Sequence, residues 1–192
     1  MILGLLLAPG AGAGRDQPQL VATDEAATAA GVTVARMDFP YRLAGRKAPD
    51  RAPVLIAAVV EQASALAGAG PLVLGGRSMG GRMCSMAVAG GLVPQAAGLV
   101  LISYPLHPPG KPDRLRSEHF PQLSVPCLFV SGTKDAFGSP SELEEATAAI
   151  PGPVTHRWID GKDHGLRNAD SAVASTVVAW LSEQWPTLVR PA

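Results

Sequence analysis

Only two cysteines, Cys84 and Cys127, occur in 192 residues, and each lies inside an apolar segment. One pair is too few to staple a small secreted scaffold, so two buried free thiols in a reducing cytoplasm are expected. Charge of one sign is also missing, because 16 basic residues face 16 acidic ones. That balance argues against a nucleic-acid binder or a polybasic membrane surface and leaves a small molecule as the expected ligand. No apolar run approaches the ~18 residues of a membrane span. The opening Met1 to Leu7 is apolar but has no basic flank, and Pro9-Gly10-Ala11-Gly12 fits a strand entering a tight loop better than a signal-peptide cleavage site. There is no internal repeat. The expectation is a cytoplasmic protein, monomer or homodimer, with an apolar face around Trp180 and Trp185 that could serve a dimer or an ordinary core.

What is present is ample core material. Hydrophobic residues make up 47% of the chain, enough for one compact domain over residues 1–192. The 21 glycines and 18 prolines punctuate periodic segments and form no tracts. Short continuous apolar runs recur at 2–8, 32–37, 72–76, 98–102, 126–131 and 154–159, the pattern of strands covered on both faces. Between them, 16–30, 52–68, 79–90, 141–149 and 170–185 carry helical patterns. Asp16, Ser141 and Asp170 are the expected N-caps, with Gly31, Gly68 and Gly90 as stops. Val173, Val177, Trp180 and Leu181 form one stripe on the last helix. The alternation predicts a three-layer α/β/α sandwich on a mainly parallel six-stranded sheet, with the site at the carboxyl ends of the strands. Residues 103–121 are too rich in proline for a helix and read as a loop reaching that edge.

The chemistry is concentrated at Gly76-Arg77-Ser78-Met79-Gly80, a G-x-S-x-G pattern closing the third apolar run. A serine hydroxyl needs lifting clear of the backbone, a base and oxyanion donors before it attacks. Glycines at 76 and 80 would let the turn pass close to neighbouring backbone while Ser78 takes a strained conformation. A carboxylate and a histidine should follow in chain order. Asp135 comes after the fifth run and His164 after the sixth, so His164 would shuttle the proton while Asp135 fixes its tautomer. For the oxyanion, the backbone N–H of Met79 is the first expected donor. Ala11 is the choice for the second, with Gly12 in reserve, and losing one donor would cost on the order of 3 kcal/mol.

Other readings compete. Asp160 and Asp163 lie nearer His164 in sequence, but a direct neighbour usually points away from its partner's working nitrogen. His156 lies inside the sixth run and reads as structural. His107 and His119 could line a pocket or simply hold the proline-rich loop. Phe39 and Tyr41 could wall the pocket or pack rigidly, and Arg77 or Arg82 could meet an anionic substrate group or serve as structural ion-pair partners. Gly10-x-Gly12 with Asp38 about 24 residues on faintly echoes a dinucleotide fingerprint, but Arg15 occupies the third-glycine place. Arg82-Met83 likewise replaces the Lys and Ser/Thr of a phosphate loop, so no nucleotide, metal or other cofactor is expected.

Taken together, Ala8 to Gly12, Asp38 to Arg42, Gly75 to Arg82 and Tyr104 to Gly110 resemble the α/β-hydrolase superfamily. Within it they are similar to the small, lidless branch of KANL3/Tex30-type and dienelactone-hydrolase-like proteins. The resemblance spans essentially the whole chain. It implies Ser78, Asp135 and His164 as triad and Met79 and the Gly10 to Gly12 loop as oxyanion hole. Two departures limit what carries over: Pro9-Gly10 stands where many relatives have His-Gly, and the expected six-stranded sheet starts at what would be the superfamily's third strand, without the usual N-terminal hairpin. Some branch members work as parts of larger assemblies. The expected activity is hydrolysis of a small ester or thioester. The alternative is a non-catalytic interaction protein on the same scaffold. A peptidase is disfavoured because no substrate-gating domain is evident.

Overall fold

A computed structural model describes residues 3–66, 68 and 70–190. In chain order the elements are β1 (Gly4–Ala8), α1 (Pro18–Ala29), β2 (Thr33–Arg36), α2 (Pro40–Leu43), α3 (Ala52–Leu66), β3 (Leu72–Arg77) and α4 (Met79–Ala89). They continue with β4 (Ala96–Ile102), a 3-10 turn (Phe120–Gln122), β5 (Cys127–Gly132), α5 (Pro140–Thr147), β6 (Val154–Ile159) and α6 (Asp170–Gln184). The six strands form one sheet in the order β2-β1-β3-β4-β5-β6, with every neighbouring pair parallel. The mainly parallel sheet of the sequence reading is thus parallel throughout. Ile2 and Ala67, expected in the first strand and the second long helix, lie outside the described residues.

Strand alternation explains why both faces are apolar. Leu6, Leu74, Leu99, Leu101 and Phe129 point to one face, where Leu55 and Val59 of α3, Met83 of α4 and Leu143 of α5 cover them. Leu5, Leu7, Val73, Val100, Leu128 and Val130 point to the other, beneath Leu20 of α1 and the α6 stripe Val173, Val177, Trp180 and Leu181. Cys84 and Cys127 are both free and buried in the first of these cores. Desolvation pushes both thiols up to about 12, so they pack as small apolar groups. Among the described residues no helix is long and apolar enough to cross a membrane.

The helix starts differ from the expected caps, and proline explains two of the three. Pro18 and Pro140 occupy the first turn of α1 and α5, which moves the N-caps to Gln17 and Ser139 instead of Asp16 and Ser141. At α5, Glu142 N–H donates to Ser139 Oγ and Ser139 N–H donates to Glu142, a reciprocal capping box. At α6 the N-cap is Ala169, and Asp170 is the first helical residue.

The strand order also locates the site. The chain leaves β1 toward β2 and then crosses back to β3 on β1's other side, so the loops after β1 and β3 diverge from adjacent strand ends. Ligands of open α/β sheets bind in the crevice at such a reversal. The loops after β1, β3, β4, β5 and β6 all open there.

Candidate active site

Ser78 ends β3 and caps α4 at φ 50° and ψ −116°, a left-handed conformation that L-residues rarely adopt. The surroundings hold it there. Ser78 N–H donates to Ile102 O at 2.8 Å, and Ser78 O accepts from Arg82 N–H at 3.1 Å. A Cβ on Gly76 or on Gly80 would run into the carbonyl oxygen of Ala8, so only glycine lets β3 and α4 approach β1 this closely. The hydroxyl is thereby presented at the crevice.

His164 and Asp135 reach it from two loops laced together. Lys134 N–H donates to Lys162 O at 2.8 Å, Gly161 N–H donates to Thr133 Oγ1 at 2.8 Å, and a Cβ on Gly132 would collide with Lys162 O. His164 Nε2 lies 2.9 Å from Ser78 Oγ, and His164 Nδ1 lies 2.8 Å from Asp135 Oδ2 and 3.0 Å from Oδ1. The Asp135 side chain is fully buried, and its Oδ1 also accepts the Phe137 N–H at 2.8 Å. The Phe137 ring stacks on the His164 imidazole with centroids 4.0 Å apart. The two competing carboxylates are engaged elsewhere: Asp163 accepts from Gly165 N–H, and Asp160 accepts from Thr133 Oγ1.

The loop after β1 is clamped at three amides. Gly10 N–H donates to Gln17 Oε1 at 2.9 Å, Gly12 N–H to Tyr41 Oη at 3.0 Å, and Arg15 N–H to Asp38 Oδ1 at 2.7 Å. Gly12 is therefore corrected as a reserve oxyanion donor, because its N–H is already committed to Tyr41. Ala11 N–H and Met79 N–H make no hydrogen bond among the described residues, and both residues line a cavity of about 430 Å³ over Ser78.

That cavity is walled by Ala11, Arg77, Ser78, Met79, Arg82, Pro105, Arg116, Phe137 and His164. Arg77 lies on it as expected, but its Nη2 donates to His164 O at 2.6 Å, which ties it to the histidine loop. Burial lowers the Arg77 pKa, an effect opposed by the nearby Asp135 and Asp163 charges. Phe39, Tyr41 and His107 are corrected as pocket residues. Phe39 and Tyr41 are fully buried in the core because α2 turns them inward, and their rings stack at 6.4 Å. His107 is buried behind the wall: Nδ1 lies 2.9 Å from Pro108 O and Nε2 lies 3.4 Å from Glu142 Oε1. The backbone N–H of His107 donates to Phe137 O, which binds the 103–121 segment to the Asp135 loop.

The remaining histidines are structural. His156 stacks between Phe129 and Trp158 and meets Thr147 Oγ1 at 2.9 Å. His119 Nε2 meets Ser85 Oγ at 2.8 Å, and burial, reinforced by the Arg82 charge, lowers its pKa to about 4. Sequence reasoning missed Pro105, Arg116 and Phe137. Phe137 could have been found from its place two residues after Asp135, whereas Arg116 carried no signal beyond belonging to the expected site loop. Among the described residues no group of three or more His, Cys, Asp or Glu side chains is disposed to hold a metal ion.

Comparison with known proteins agrees with this architecture. Est1E from Butyrivibrio proteoclasticus superposes with a TM-score of 0.79 at 15% identity, covering 97% of this chain and 89% of that one. The monoacylglycerol lipase of Paleococcus ferrophilus gives 0.76 at 15% identity, covering 94% of each chain. The type II thioesterase BorB from the borrelidin biosynthetic cluster gives 0.72 at 16%, covering 99% and 94%. At these identities the likeness is one of fold. Residues 3–182 match the family described as alpha/beta hydrolase domain. With that match covering most of its length, the chain belongs to the α/β-hydrolase family.

Proposed function

We propose that the chain is a serine hydrolase that cleaves small esters or thioesters through an acyl-enzyme, with Ser78 as nucleophile, His164 as base and Asp135 as its orienting carboxylate. The carrying observation is the continuous relay from Ser78 Oγ through His164 to a buried Asp135, with contacts of 2.9 and 2.8 Å. With its Nδ1 proton directed at Asp135, His164 presents a free Nε2 lone pair to the Ser78 hydroxyl. Ser78 Oγ attacks the carbonyl carbon while its proton passes to His164, and the oxyanion is received by the Met79 and Ala11 amides. The intermediate collapses by breaking the C–O or C–S bond, and the leaving group departs with the proton from His164. Water then enters, gives its proton to His164 and attacks the acyl carbon. The acid is released as Ser78 recovers its proton.

A cavity of about 430 Å³ suits a short acyl group, or an acyl group delivered on a larger carrier. Neighbours described as esterase, lipase and thioesterase support the substrate class without choosing within it. The four sequence blocks, Ala8 to Gly12, Asp38 to Arg42, Gly75 to Arg82 and Tyr104 to Gly110, keep the chain, on our reading, with the KANL3/Tex30-type branch of the family. Labelling with a fluorophosphonate probe tests the reading. Wild type is expected to label at Ser78 and Ser78→Ala not at all. A folded wild type that does not label, and that turns over no ester or thioester in a broad panel, overturns it in favour of a non-catalytic scaffold.

A further inference from the structure

The cavity over Ser78 has an unusual charge. Three guanidinium groups line it, from Arg77, Arg82 and Arg116, and no carboxylate does. The three differ in how they are engaged. Arg77 is committed to the His164 carbonyl, but Arg82 and Arg116 have no carboxylate within 4 Å among the described residues. Arg82 Nε is buried without a hydrogen-bond partner, and the side chain of Arg116 makes one contact, a long 3.5 Å approach to Pro105 O. Glu118, the one carboxylate whose charge raises the Arg116 pKa, is exposed and belongs to no ion pair within 4 Å among the described residues.

Both arginines nevertheless stand on fixed backbone. Arg82 is one turn into α4, bonded to Ser78 O. Arg116 is pinned on both sides, since its N–H donates to Leu106 O at 2.8 Å and its carbonyl accepts from the buried Tyr104 Oη at 2.6 Å. Desolvation lowers the Arg116 pKa, and the positive charge of Arg82 adds to that effect. Two like charges are therefore held near each other, partly dehydrated and unpaired, beside a nucleophile. Guanidinium forks in that state match the oxygens of a carboxylate or phosphate, and such charge-assisted bonds exceed neutral ones in strength.

We propose that Arg82 and Arg116 form an anion subsite, so that the preferred substrate is an ester or thioester carrying an anionic oxygen group, a carboxylate or a phosphate, a short spacer from the scissile carbonyl. This rests on the hydrolase reading for its chemistry, while the anion subsite itself can be measured without turnover. An uncharged acyl chain in this cavity would leave both guanidiniums desolvated and unsatisfied. The anion satisfies them and orients the carbonyl toward Ser78.

The test compares p-nitrophenyl hemiglutarate with the p-nitrophenyl ester of monomethyl glutarate, which differ in one negative charge. The wild type is expected to show kcat/KM about tenfold or more higher for the anionic ester. That preference should shrink at high salt and collapse toward unity in Arg82→Gln, in Arg116→Gln or in both. Arg114→Gln, an exposed charge on the same segment, should keep it. In parallel, glutarate and inorganic phosphate are added singly. Protection of Ser78 from the fluorophosphonate and a raised melting temperature, lost in Arg116→Gln, identify the subsite, and whichever ligand does so identifies carboxylate or phosphate. A wild-type preference of unity or below, or one that survives in both variants, overturns the subsite while leaving the hydrolase reading intact. If no ester is turned over and Ser78 does not label, the hydrolase reading falls. The melting-temperature arm then decides the subsite: a shift lost in Arg116→Gln supports it, and no shift with either ligand overturns it.

Discussion

Asp135, His164 and Ser78 satisfy one another, whereas Arg82 and Arg116, on the wall of the same cavity, are satisfied by almost nothing in the protein. In the first group the carboxylate holds the imidazole and the Phe137 amide, the second imidazole nitrogen meets the hydroxyl, and the His164 carbonyl takes Arg77. In the second, rigid backbone carries guanidinium donors that find one long contact between them. The difference separates two tasks. On the proposed reading, groups meant for a fixed proton transfer are preorganised by internal bonds, whereas groups meant to recognise a ligand keep their bonding capacity in reserve.

Four substitutions break or sharpen that contrast. The largest effect belongs to Ser78→Ala, which removes the proposed nucleophile and should lower kcat on an activated ester by about 10⁶-fold with circular dichroism unchanged. Asp135→Asn keeps the shape of the relay but can donate to Nδ1, leaving the imidazole in the wrong tautomer. A kcat loss of about 10⁴-fold is expected, and a loss under tenfold would remove Asp135 from the mechanism. Tyr41→Phe strips the acceptor from Gly12 N–H and loosens the oxyanion loop without touching the triad. Unfolding in urea should show a loss of about 1 kcal/mol, with a severalfold fall in kcat and little change in KM.

The smallest effect is at His119, behind Arg82. Its pKa is about 4 in the fold against 6.5 for the free side chain, so between those values the unfolded chain binds more protons and stability rises with pH. The contribution is fully present above 6.5 and is lost as the pH falls toward 4. His119→Gln should flatten that part of the stability profile, measured as urea midpoints across the window. His156, whose pKa burial also lowers, should retain the remainder. An unchanged profile would place the acid sensitivity elsewhere.

The sheet and the relay were legible because their signals are local. Six apolar runs become six strands, and Ser78, Asp135 and His164 each follow one of them directly. The misreadings arose where distant partners decide the outcome. Ser139-Pro140-Ser141-Glu142 carries a complete capping box, and Pro140 at the helix start puts the cap on Ser139 rather than on Ser141. Pocket wall and rigid packing are equally open for Phe39 and Tyr41 in the sequence, because nothing there shows that Pro40 opens a short helix turning both inward. Gly12 and Ala11 could be told apart only once Tyr41 was seen to take one amide. Arg116 reaches the cavity through an irregular loop held by Leu106 and Tyr104, a placement no periodicity reports.

The carbonyl of Ala8 meets the bare Cα atoms of both Gly76 and Gly80, at the point where the loop after β1 departs. Where the loop after β1 departs, its distance from Ser78 is therefore set by main chain against main chain, before the side-chain clamps of Gln17, Tyr41 and Asp38 take hold. A side chain at either glycine would push β3 or α4 away from β1 and lengthen the gap between the Ser78 hydroxyl and the Ala11 amide.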